Sequence, residues 1–238
     1  MDKKKDKYIL CLYLTLETAL FFLIKWAEFT QPYAVTGKIM YGSILLNFCV
    51  MLLFYVRYRG DRIIPMALTV TLIADYFLTY RNEHFYAGVF CFILVQLIYG
   101  WRIGYDRRRV RERILLFLCF AVILFCLGMS ALFSFFCGLS IALLLGNVIF
   151  SWESWLKRDR KSRVSACGPD SQRRMAGLLF AIGLTLFAGC DLSLGLRIIS
   201  QDIPSMQLFH DIMNYLTWTF YLPSQVLLTL TYICETAI

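Results

Sequence analysis

Two aspartates, Asp75 and Asp191, stand inside long apolar runs of a 238-residue chain. A carboxylate in hydrocarbon costs about 2.5–3.5 kcal/mol on insertion scales, so acids kept there face a protein interior or a wet cavity. At helical rise Asp75 comes about 20 Å and Asp191 about 24 Å into its own run. In a hydrocarbon core about 30 Å thick, both reach the same outer third. Equal depth on helices of the same direction suggests one shared site. Two carboxyls sharing a dry site do not both ionise cheaply, so one keeps its proton. A protonated acid beside an ionised one is the equipment of general acid–base chemistry.

Other polar residues recur at helical spacing, where positions three and four apart share a face. Glu17, Phe21, Lys25 and Glu28 form one stripe, and Thr71, Asp75, Thr79 and Asn82 another. Gln96 and Tyr99 follow Gly88 and Phe92, while Asn214, Trp218, Tyr221, Gln225, Thr229 and Tyr232 make the longest row. Such side chains are ordinarily interhelical glue, each contributing about a kcal/mol or less. Lys25 and Glu28 could simply snorkel to the outer interface. Glu17 and Lys25 are two turns apart and would need a bridging group to pair.

The elements that must carry these residues are read from composition. Hydrophobic residues make up 59% of the chain and the mean hydropathy is +0.64. That apolarity comes in blocks of bilayer-spanning length, which predicts an all-α, polytopic transmembrane bundle of about eight helices in a single domain, 1–238. The spans fall near 8–28, 38–58, 63–80, 84–103, 114–128, 131–152, 175–199 and 212–234. The fifth and sixth form one apolar tract, 114–152, in which Gly128 and Ser130 offer a tight turn. Gly183 and Gly195 would let another helix approach the seventh span closely, and Pro223 is expected to kink the eighth. A four-plus-four duplication is suggested by Thr69 and Asp75 against Thr185 and Asp191, and by Phe92 and Gln96 against Tyr221 and Gln225.

Charge supports the division into eight. Of 24 Lys and Arg, four lie in the N-terminal tail, three in 57–62, six in 102–113 and seven in 157–174. Threading eight spans puts all of these on one side, which the positive-inside rule makes cytoplasmic together with both termini. The net charge of +8 is thus a topology signal, and nucleic acid is excluded as a partner. The lipid bilayer is the expected surroundings, in the cell membrane if the source is bacterial. Oligomeric state is left open.

Nine cysteines make no disulfide framework, since all but Cys167 lie in apolar spans. His84 and His210 fall in outer loops beside Glu83 and Asp211. Loop histidines and acids are ordinarily solvated, so no metal site is expected.

Several of these segments together resemble the lysoplasmalogenase family of YhhN-like membrane proteins. The third span, running from Ala67 to Asp75, is similar to that family's apolar helix ending in Gly-Asp. Gly88, Phe92, Gln96 and Tyr99 keep the spacing of its Gly-x3-Phe-x3-His-x2-Tyr pattern. Gly183, Phe187, Cys190 and Asp191 resemble its Gly-x3-Phe-x2-Ser-Asp, Tyr221 to Gln225 its last helix, and Lys38 the Lys of its Lys-Pro pair. The resemblance runs from about Lys38 to Gln225. Gln96 replaces the family's His, Ala74 its Gly, Cys190 its Ser and Ile39 its Pro. A Gln cannot exchange a proton near neutral pH, so a member relying on that His would be slowed or altered here.

What the resemblance implies is hydrolysis of the vinyl ether bond of a lysophospholipid substrate, a lysoplasmalogen, to a fatty aldehyde and a glycerophospho-base. Asp75 and Asp191 are then the catalytic pair, acting as two-carboxylate glycosidases do. Gln96, Tyr99, Tyr221 and Gln225 would hold glycerol and water, and Lys38 the phosphate. No metal or organic cofactor is called for. A proton-coupled carrier of a small polar or lipidic solute, or a non-catalytic lipid-binding relative, are the competing readings.

Overall fold

Each apolar run becomes a helix because a backbone in lipid must satisfy its own hydrogen bonds. The computed structural model describes residues 3–30, 33–81, 84–162, 169–200 and 204–236; Asn82, Glu83 and Cys167 lie outside them. Eight long helices follow in order: α1 (Lys3–Thr30), α2 (Tyr33–Tyr58), α3 (Ile63–Asp75), α4 (Phe85–Ile103), α5 (Arg107–Cys126), α6 (Ala131–Ser162), α7 (Pro169–Ser200) and α8 (Gln207–Thr236). Six of them, all but α5 and α8, are long and apolar enough to cross a membrane by length and composition, α3 when taken on through Tyr80. The chain is therefore an integral, multi-pass membrane protein.

Local signals set the breaks. The 114–152 tract divides where expected: α5 ends at Cys126, Gly128 takes a φ of 82°, and Ser130 Oγ accepts from the Phe133 N–H at 3.3 Å. The start of α5 is capped by Asp106, whose carboxylate accepts from the Arg109 N–H at 2.8 Å. That bond holds the Asp106 carboxyl below its ordinary range. His84, with a φ of 58°, turns the chain into α4.

One end of the bundle gathers the basic loops. Arg57 pairs with Asp6, Arg102 with Glu235 and Asp61, and Arg108 reaches Glu153. Gln172 at the start of α7 donates to the Cys234 carbonyl near the end of α8 at 2.6 Å. Consecutive helices therefore alternate in direction, and the first and last helices begin and end at this basic end.

Helix α8 is central, packed on α7, α2, α1 and α3, while α5 rides outside on α6. Its polar stripe faces into protein rather than lipid, which is how a helix of lower apolarity keeps its place. It runs on through Pro223. Gly183 and Gly189 let α7 lie close to α8: a Cβ would meet Leu228 and Phe220 at 3.2 Å. Gly195 serves no such approach, since nothing stands within 4 Å of its missing Cβ.

Two polar networks correct the reading of the charged stripe on α1. Lys25 does not snorkel; it is buried, pairs with Glu28 at 2.8 Å and donates to the Tyr215 carbonyl of α8 at 2.7 Å. Glu17 needs no cation to hold it, for its oxygens accept from Ser43 Oγ at 2.6 Å and Asn47 Nδ2 at 2.8 Å. Asn47 Oδ1 in turn accepts from Tyr13 at 2.6 Å. Both networks tie α1 to its neighbours where buried polar groups would otherwise be left unmet.

Candidate active site

Helix α3 loses its regular winding at Asp75. The next turn, Tyr76–Tyr80, is a π-helix, and the Arg81 N–H reaches back five residues to the Tyr76 carbonyl at 2.9 Å. Wide turns of this kind mark functional sites, because they re-aim side chains that a regular helix would bury. Here the turn delivers Phe77, Leu78 and Thr79, with Asp75, to the wall of a cavity of about 440 Å³. Helix α7 contributes Cys190, Asp191, Leu194 and Arg197 to the same wall, and α8 contributes Thr217, Trp218 and Tyr221. The two aspartates thus line one cavity.

Their surroundings differ. Asp75 is buried and its Oδ2 accepts the hydroxyl of Tyr221. Asp191 is half-buried and has no hydrogen-bond partner among the described residues. Aromatic packing fixes the Tyr221 ring, with centroids 5.4 Å from Trp218, 5.7 Å from Phe187 and 6.5 Å from Phe92. A hydroxyl so held points one way, which is what orienting a carboxylate requires.

Beside the cavity runs a narrow apolar groove between α4, α5, α6 and α7. Val89, Leu124, Ile141 and Gly195 line it, and it shares Leu78, Phe92 and Asp191 with the cavity. Asp191 stands where a cavity carrying charged and hydroxyl side chains meets a space lined almost wholly by apolar ones.

The other residues singled out by sequence lie elsewhere. Gln96, Tyr99 and Gln225 are fully buried but do not line the cavity. Gln96 and Gln225 lie one helical turn toward the basic end from the Phe92–Tyr221 contact. Gln96 Oε1 accepts from Asn147 Nδ2 at 3.0 Å, and Arg113 Nη2 donates to Asn147 Oδ1 at 2.8 Å. Gln96 Nε2, the Tyr99 hydroxyl and Gln225 Oε1 have no protein partner among the described residues. Lys38 is exposed on α2 and is not part of the cavity wall.

A family model describing the YhhN family matches residues 38–232. The chain belongs to the YhhN family. This is the family of the lysoplasmalogenases, as the motifs on α3, α4, α7 and α8 suggested. No curated protein and no solved structure matches it. Both cavity acids lie within the YhhN match, whereas Glu17 and Lys25 precede it. In this YhhN member the position of the motif's His, Gln96, faces Asn147 rather than the acids.

Sequence reasoning passed over four cavity residues: Thr79, His84, Trp218 and Arg197. Thr79 and Trp218 stand in the sequence only as stripe positions, His84 as a loop residue, and Arg197 outside the basic loops. The available signal was spacing: Arg197 comes six residues after Asp191, and Trp218 three before Tyr221.

Proposed function

We propose that this YhhN protein hydrolyses the vinyl ether bond of lysoplasmalogens, with Asp75 and Asp191 as its catalytic acids. The observation that carries the reading is the position of Asp191, shared by the cavity that holds Asp75, Arg197 and Tyr221 and by a narrower apolar groove. A lysoplasmalogen has its scissile bond at the same kind of boundary, between glycerol and hydrocarbon chain. The chain would lie in the groove and the glycerol in the cavity. With the basic end in the cytoplasm, the cavity opens on the opposite side of the membrane.

Hydrogen bonding divides the labour. Asp75 accepts from Tyr221, so it serves as the carboxylate that stabilises positive charge and receives a proton from water. Asp191 meets no competing donor and presents the acid proton to the cavity. Asp191 protonates the alkenyl carbon remote from the ether oxygen, which leaves an oxocarbenium ion. Water, relieved of a proton by Asp75, adds to the carbon bearing oxygen and gives a hemiacetal. Collapse breaks the bond from that carbon to the glycerol oxygen. The two protons of the water end on the glycerol oxygen and on Asp191, restoring the acid. Lys38, Gln96, Tyr99 and Gln225 lie outside the cavity wall, so any part they take in binding passes through neighbouring groups or a rearranged complex.

The purified protein is expected to release aldehyde from a lysoplasmalogen and none from its saturated ether analogue. No aldehyde from either, together with pH-driven solute uptake into proteoliposomes, would replace the hydrolase by a carrier.

A further inference from the structure

We propose that Arg197, steadied by Asn214, is a phosphate-binding residue at the wall of the acid cavity, and that it takes the phosphodiester of a single-chain lipid. The lipid part rests on the hydrolase reading; the anion site rests on its own geometry.

Arg197 lies in the last turn of α7, half-buried, with Leu194 and Ile198 beside it on the cavity wall. Its Nη1 donates to Asn214 Oδ1 of α8 at 2.7 Å. That bond fixes the guanidinium between two helices and uses one of its five N–H donors. Among the described residues no carboxylate stands within ion-pair distance of it. An arginine that merely reached the interface would point outward along its stem; this one is tied inward to a second helix and faces the cavity.

Neither of the lysines near this end lines the cavity. Lys25 is paired with Glu28, and Lys38 is exposed away from the wall. Arg197 and His84 are the basic side chains on the lining of this cavity. A planar guanidinium with free donors matches phosphate oxygens better than any other side chain. Asp191 and Arg197 are six residues apart, a rise of about 9 Å along the helix. In a lysoplasmalogen five bonds separate the ether oxygen from phosphorus, roughly 6 Å at ordinary bond lengths. The flexible arginine stem spans the difference. With the phosphate on Arg197, the vinyl ether comes to Asp191 and the chain enters the apolar groove that Asp191 borders.

Equilibrium binding tests this without hydrolysis. The ligands are a radiolabelled saturated alkyl lysophospholipid and the matching alkylglycerol, which lacks phosphate, on the full-length protein in nanodiscs. The wild type is expected to prefer the phosphate-bearing lipid by about ten- to hundredfold, the worth of a charge-assisted hydrogen bond. Arg197→Gln should erase that preference while leaving alkylglycerol binding unchanged. Survival of the preference in Arg197→Gln, or its absence from the wild type, overturns the assignment. Inorganic phosphate should compete only far above the lipid concentration; displacement at equal concentration would make this a site for free anion and overturn the lipid part. Because neither ligand carries a vinyl ether, failure to release aldehyde from a plasmalogen bears on the hydrolase reading alone.

Discussion

Replacing Tyr221 by phenylalanine removes one oxygen from the cavity and little else. The ring stays wedged between Phe187 and Trp218, and only the hydroxyl that donates to Asp75 is lost. A hydrogen bond to a charged group is worth about 1.5–3 kcal/mol. If Tyr221 holds Asp75 in its working position, that loss becomes a drop of about ten- to hundredfold in kcat/KM. The assay is aldehyde release from a lysoplasmalogen, coupled to an aldehyde dehydrogenase, with the saturated ether analogue as blank. A thermal melt in detergent separates this from unfolding. The role through Asp75 is checked by a double-mutant cycle: in the Asp75→Asn background, Tyr221→Phe should cost nothing further. Full activity in Tyr221→Phe, or an equal additional loss in the Asp75→Asn protein, would refute the reasoning.

Asp75→Asn and Asp191→Asn should each lower aldehyde release by about 10²–10⁴-fold and leave a folded protein; parental turnover in both removes the mechanism. Gly195→Trp fills the open space in the apolar groove, so the enzyme should turn over short alkenyl chains in preference to long ones, and an unchanged chain profile would take the hydrocarbon out of that groove. Gln96→His restores the residue of the YhhN motif, but the side chain faces Asn147, so kcat/KM should stay at the parental value; a large gain would put this position in the chemistry. Lys25→Met strands Glu28, and with both side chains under a tenth exposed the thermal unfolding midpoint should fall by the equivalent of about 3–5 kcal/mol. Lys25→Met with Glu28→Leu should recover most of that loss, and a double variant as unstable as the single one contradicts the pairing.

The helices were legible because the membrane imposes a coarse rule: long apolar blocks, basic loops on alternate connections, and a break at Gly128. The acid pair was legible for the same reason, since an uncompensated carboxylate in such a block is conspicuous. The role of Lys25 was not. Its neighbours at three and four residues suggested a route to the interface, but the group that captures it is the Tyr215 carbonyl on a helix 190 positions away. Gln96, Tyr99 and Gln225 shared a face with Phe92 and Tyr221, as read, yet Gln96 and Gln225 lie one helical turn from the cavity level and Tyr99 about two. A stripe specifies a direction around a helix, not which level of that stripe meets open space.

Sequence alone determined that this chain folds as an integral helical bundle of the YhhN family and that Asp75 and Asp191 need protein around them, because hydropathy and charge act locally and leave their mark residue by residue. Only the tertiary structure decided that the two acids share a cavity, that Tyr221 serves Asp75 and not Asp191, and that Arg197 turns inward. Those facts depend on which helices are neighbours, on the π-turn after Asp75 and on the close approach of α7 to α8 at Gly183 and Gly189. Neighbourhood is set by packing between distant segments, and no local pattern along the chain encodes it.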